Sequence, residues 1–139
     1  MRDILFRGKR IDNGKWIEGF IDYSPYESDF VIHVIEEIPP TFQDPCGDII
    51  SERYPVIYET VGQFAGLTDK NSVKVFEDDI VKNTRIVGRC NLSTNHQVYF
   101  DTELLQFGLK YSFEMFHCQF SHEFEVIGNI HDNPELLEK

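Results

Sequence analysis

At 139 residues, 41 % hydrophobic and 14 % aromatic, the chain has the length of one ordinary domain and enough apolar material for a real core, which excludes intrinsic disorder. A net charge of −11 argues against a general nucleic-acid binder, since that class works through Lys and Arg displacing counterions from phosphates. No apolar run approaches the roughly 20 residues that cross a bilayer, and no apolar segment follows the charged start, so a cytoplasmic protein with no membrane partner is expected.

Period-two patterning and β-branched or aromatic residues recur along the whole chain, and no stretch of 12 or more residues carries a 3.6-residue stripe between helix caps, which predicts a mainly β fold. Ile4 to Lys9 and Lys15 to Ile21 flank Asp12-Asn13-Gly14, and Asn-Gly between two apolar runs is the strongest short hairpin signal. Further strands are expected over Phe30 to Ile35 and Tyr54 to Tyr58. Pro39, Pro40, Pro45 and Gly47 mark a loop from 39 to 52.

From Val61 onward the expected strands are short and close together: Val73 to Phe76, Ile80 to Lys82, Arg85 to Val87, Gln97 to Phe100, Leu105 to Phe113 and Phe124 to Ile130. That rhythm predicts a small antiparallel barrel of SH3-like size. Leu105, Phe107, Leu109, Tyr111, Phe113 and Met115 alternate with polar residues and should line a core face. The apolar parity then flips at Phe116, which calls for a turn, a bulge or a short helix near Met115. Asn133, Pro134 and Glu135 have the cap, N1 proline and early acid of a terminal helical turn. The organisation expected is residues 1–60 as an N-terminal β region with its hairpin, and residues 61–139 as the barrel.

Three motifs in order support a family resemblance. They are Thr60-Val61-Gly62-Gln63-Phe64-Ala65-Gly66-Leu67-Thr68-Asp69-Lys70-Asn71-Ser72, then Val75-Phe76-Glu77-Asp78-Asp79-Ile80-Val81, and the closing run from Phe124 through Gly128-Asn129-Ile130-His131-Asp132-Asn133-Pro134-Glu135-Leu136. Together with Ile4 to Arg10 and Asn13-Gly14-Lys15-Trp16, they resemble the YopX family of phage and prophage proteins. The family pattern reads DKNG where this chain has Asp69 to Ser72, and EGD where it has Glu77 to Asp79. Both departures replace glycine in an expected turn. The resemblance implies a β-rich, phage-encoded protein with a tendency to self-assemble, and it supplies no catalytic residues.

The acids Glu77, Asp78 and Asp79 invite a metal site, but along a strand Asp78 faces away from the other two. A turn is the simpler reading, with Asp79 accepting hydrogen bonds from local backbone N–H groups and Ile80-Val81 opening the next strand. Cys118 and His122 would point the same way from a strand but about 13 Å apart, too far for one tetrahedral zinc. A helix would bring them together at i and i+4 yet leave two ligands that no neighbouring Cys/His pair supplies. A Cys90 or Cys118 thiol paired with His96 or His122 has nothing in the local sequence to activate it. Cys46, Cys90 and Cys118 are odd in number and widely spaced, as expected of reduced thiols. Neither GxGxxG nor GxxxxGK[ST] occurs. No catalytic, cofactor or metal residue is therefore expected.

Charge is unevenly placed. Residues 1–15 hold Arg2, Arg7, Lys9, Arg10 and Lys15 against Asp3 and Asp12, a local +3 that leaves −14 for residues 16–139. A basic edge on an acidic body suits a binding module that meets copies of itself or a host or phage protein. Two other readings remain at this level: an acidic mimic of nucleic acid that inhibits a host DNA- or RNA-binding protein, and a small-molecule or nucleotide-binding enzyme using a cleft between the two halves.

Overall fold

A computed structural model describes residues 3–24, 29–34, 52–111, 117–118 and 123–138. The structure is mainly β. Its strands are β1 (Phe6–Lys9), β2 (Trp16–Ser24), β3 (Asp29–Val34), β4 (Glu52–Val56), β5 (Gly62–Thr68), β6 (Lys74–Phe76), β7 (Asp79–Val87), β8 (Cys90–Asp101), β9 (Gln106–Tyr111), β10 (His117–Cys118) and β11 (Glu125–Asn129). Two 3-10 turns, Tyr58–Thr60 and Pro134–Leu137, complete it. Strand neighbours run β4-β3-β2-β1-β5-β6 and β10-β9-β8-β7-β11, all antiparallel. The chain forms two compact units, Ile4–Gln63 and a second made of Met1–Asp3 with Phe64–Lys139. Among the described residues no helix is long and apolar enough to cross a membrane.

In the first unit the expected hairpin is present, with Phe6 opposite Gly19 and Lys9 opposite Trp16. Its loop closes because Gly14 adopts φ 67°, which a residue with a β-carbon resists, and donates its N–H to Arg10 O at 3.0 Å. Asn13 Oδ1 accepts the Lys15 N–H at 2.9 Å. The end of β4 returns to the end of β1: Arg10 bridges Val56, and Ile57 N donates to Lys9 O at 2.8 Å. Thr60 pins this corner, its hydroxyl accepting from Lys9 N at 2.9 Å and donating to Ile57 O at 2.6 Å. Ile32 and Val56 are fully buried beside Gly8, where the backbone comes close.

The second unit buries Val75 of β6, Val81, Val98 and Leu109 of the β10-β9-β8-β7-β11 row and Phe124 in one cluster, with Ala65, Leu67, Phe107 and Val126 packed around them. Its barrel does not close. β10 and β11 end the row of strands and do not pair with each other among the described residues. Closure needs neighbours of matched length and stagger, whereas β7 runs 9 residues and its neighbour β11 only 5. The two short strands expected at 80–82 and 85–87 are one strand, because Asn83 and Thr84 pair with Thr94 and Ser93 across β8. Leu105 does not join the core: it is 75 % exposed in the β8–β9 turn, with φ 53°. The parity flip near Met115 lies outside the described residues. The terminal turn forms, but Asn133 makes no side-chain capping bond and lies against Gly128 instead.

Ser72 sits in the β5–β6 turn at φ 65°, in the left-handed region that glycine tolerates. Ser72→Gly should stabilise the protein by about 1 kcal/mol and raise the thermal midpoint by a few degrees. Calorimetry checks this, and a lower midpoint would mean that serine contributes more than its strain costs.

Candidate functional site

The three-acid run resolves into a turn. β6 ends at Phe76, β7 starts at Asp79, and the buried Asp79 carboxylate accepts the Phe76 N–H at 2.8 Å. Asp78, at φ 68°, sends its side chain elsewhere: Oδ1 accepts from Gln97 Nε2 at 3.1 Å, and Oδ2 lies 3.1 Å from His131 Nε2. Its backbone completes the junction, donating to Val98 O at 2.9 Å and accepting from Ile130 N at 3.0 Å. Asp78 thus joins the β6–β7 turn to β8 and to the segment after β11. Among the described residues no group of three or more His, Cys, Asp or Glu side chains is placed to hold a metal ion.

Among the described residues the histidine and cysteine candidates stand apart. His117 and Cys118 form β10 opposite Lys110 and Leu109, so the chain there is extended, while His122 lies outside the described residues. His96 is buried in the sheet, its Nε2 at 2.7 Å from Thr94 Oγ1. Cys90 is a free thiol at the exposed end of β8. Cys46 lies outside the described residues.

The residues that do converge are those of the basic hairpin. Alternation puts Arg7 and Lys9 on one face of β1, and the register places Trp16 opposite Lys9 and Glu18 opposite Arg7 on that same face. Arg7 Cζ lies 4.8 Å and Lys9 Nζ 5.7 Å from the Trp16 ring centroid, so two cations share one indole. Phe20, half exposed, continues this face along β2, while Phe6 falls on the opposite face with Gly8. Arg10 has a different job. Its guanidinium lies 4.0 Å from the Tyr54 ring centroid and bonds Asp12 through Nε at 2.9 Å. That hydrogen bond holds the Asp12 carboxyl below its ordinary range and Arg10 above its own. A flat ring flanked by two cations on a pleated surface can take an anionic group and cover it with aromatic area.

Residues 5–138 match the family model described as YopX protein. The chain belongs to the YopX family. Similarity extends to a solved structure, the crystal structure of protein EF1440 from Enterococcus faecalis, with a TM-score of 0.56 and 26 % identity over 99 % of this chain and 100 % of that one. No curated protein matches it. Ser72 and Asp78, the two turn positions where the resemblance leads one to expect glycine, both adopt positive φ. Both turns therefore use the left-handed backbone that glycine tolerates. At Asp78 the contacts to Gln97 and His131 offset part of the strain, and no sequence signal links residues 78 and 131.

Proposed function

We propose that this YopX protein is a phage or prophage accessory factor that acts by binding rather than catalysis, and that it self-associates through the basic face of its N-terminal hairpin. The observation that carries the reading is the convergence of Arg7 and Lys9 on Trp16 along one strand face, in a chain whose residues 16–139 sum to −14. An acidic surface on a second copy is the complementary partner, with charge setting orientation and Trp16 and Phe20 supplying apolar area.

Arg7→Glu combined with Lys9→Glu tests it, leaving Arg10 in place because its guanidinium organises the loop with Asp12 and Tyr54. In sedimentation the double variant should dissociate at roughly tenfold higher concentration than wild type in low salt, a difference of about 1.4 kcal/mol. The gap should narrow above 0.15 M, where charges more than about 8 Å apart are screened. A wild type that stays monomeric at every concentration removes the assembly, and an oligomer indifferent to the reversal moves the interface off the hairpin.

A further inference from the structure

A second basic element lies in the other unit. Residues 80–100 contain no Asp or Glu and three cations, Lys82, Arg85 and Arg89, in a chain of net charge −11. They form the β7–β8 hairpin, which outruns its neighbours: β11 pairs with β7 only as far as Lys82, and β9 pairs with β8 only from His96 onward. Beyond those rungs, the five pairs from Asn83↔Thr94 to Val87↔Cys90 have no third strand among the described residues. At 3.3 Å per residue this two-stranded arm reaches about 16 Å past the sheet. Its tip is a two-residue loop with Gly88 at φ 64°, the geometry a tight hairpin turn requires.

Cross-strand pairing puts Thr84, Ile86, Asn91 and Ser93 on one face together with Lys82, and Ile86 is 79 % exposed. Leu92, 56 % exposed, points from the opposite face. Among the described side chains neither face gathers an apolar cluster of the kind that anchors a protein interface. What the arm offers is hydrogen-bonding side chains, an isolated methyl-bearing side chain and positive charge.

We propose that this arm binds B-form DNA, lying in the major groove with the face of Lys82, Thr84, Ile86, Asn91 and Ser93 toward the base edges. A two-stranded ribbon fits a groove about 12 Å wide. There Asn91 matches the paired donor and acceptor of adenine, Thr84 and Ser93 serve either sign, and Ile86 suits a thymine methyl. Arg89, exposed at the tip, adds charge for the phosphates. The chain's overall negative charge opposes wrapping of DNA along its surface, but 16 Å is about two Debye lengths at 0.15 M and a little over one at 50 mM, so the acids of the arm's own sheet are screened in large part at its tip. This inference does not depend on self-association through the N-terminal hairpin.

Fluorescence anisotropy with a labelled 20-base-pair DNA duplex of mixed sequence is the test, run at 50 and 200 mM salt. Wild type should bind saturably at 50 mM and weaken about 40-fold by 200 mM, the loss expected for roughly three phosphate contacts. Lys82→Glu with Arg89→Glu, at two exposed positions, should lose at least tenfold at 50 mM, and Arg89→Glu alone should lose part of that. Arg7→Glu with Lys9→Glu should bind as wild type does. An RNA duplex of the same sequence should bind at least tenfold more weakly, because its major groove is too narrow for side-chain entry. No DNA binding at 50 mM, an arm variant equal to wild type, or equal binding of polyglutamate would each overturn the proposal, the last in favour of an acidic protein partner.

Discussion

Asp69→Asn should cost about 3 kcal/mol of stability at pH 7 and lower the thermal midpoint by roughly 10 °C. Asp69 is 6 % exposed and its carboxylate serves three backbone donors. Oδ1 accepts from Asn71 N at 2.8 Å and Val73 N at 2.9 Å, closing the turn after β5, while Oδ2 accepts from Val126 N at 2.9 Å and ties that turn to β11. An asparagine can keep the first two bonds through its one oxygen. Its amide nitrogen then faces the Val126 N–H, donor against donor, and a buried backbone group loses its acceptor.

Acid should erase this difference. Burial pushes the Asp69 carboxyl upward, but the N–H groups of Val126, Val73 and Asn71 and the charge of Lys70 outweigh it, so the group titrates below its ordinary value. A carboxyl whose folded pKa is depressed contributes fully above its unfolded pKa, about 3.9, and loses that contribution as pH falls through the folded value. Urea unfolding of wild type and variant at pH 7, and again at successively lower pH, should show the two stabilities converging in the acid range. A constant gap across that range would assign the loss to packing rather than to the carboxylate.

In the first unit the largest effect is expected from filling Gly8. A β-carbon there would stand 3.1 Å from Val56 Cβ and 3.2 Å from Ile32 Cδ1. The Ile32 tip can swing aside, but Val56 Cβ is fixed to a backbone held to β1 by the Arg10 bridge and the Ile57 to Lys9 bond. Gly8→Val should therefore destabilise by about 3 kcal/mol through overpacking. Val56→Ala, harmful by itself because Val56 is 2 % exposed, keeps the β-carbon but removes the Cγ1 that would lie 3.3 Å away, so it should relieve only the side-chain part of the overpacking and give a modest favourable coupling in a double-mutant cycle. Gly14→Ala is the control: nothing lies within 4 Å, so only the strain of φ 67°, about 1 kcal/mol, should appear. Additive effects of the first pair would show that the two backbones move apart.

Features that depend on adjacent residues are legible in the amino-acid sequence. Asn13-Gly14 marks its hairpin, Phe76 to Asp79 its turn, and Asn133-Pro134 the terminal 3-10 turn, since each rests on local backbone chemistry. Period-two alternation also places Arg7 and Lys9 on one face, although their meeting on Trp16 needs the register. Polarity misleads where it stands in for a break. Asn83-Thr84 looks like a gap between strands, yet the pair continues the β7–β8 ladder opposite Thr94 and Ser93, with Asn83 buried at the root of the arm. The open row of strands has no local signature, since it depends on which strands pair and how far. Contacts such as Asp69 to Val126 and Asp78 to His131 span more than fifty residues and leave no local mark. The acid-free run from 80 to 100 is visible in the composition, but its meaning comes only with the projecting ribbon.

The boundary between the two units falls inside β5, between Gln63 and Phe64. Gly62 and Gln63 are rungs for Arg7 and Phe6, while Phe64 and Thr68 are rungs for Phe76 and Lys74. Contacts separate the units, but the strand offers no seam for the experimenter. A gene fragment cut after residue 63 takes β6 and its partner residues intact but ends the other piece in mid-strand. One cut after residue 60 leaves β5 whole and strips β1 of its second neighbour, exposing the backbone of the very strand that carries Arg7 and Lys9. Domain swaps within the family therefore have to carry β5 twice, once in each piece, if both halves are to keep their hydrogen bonds.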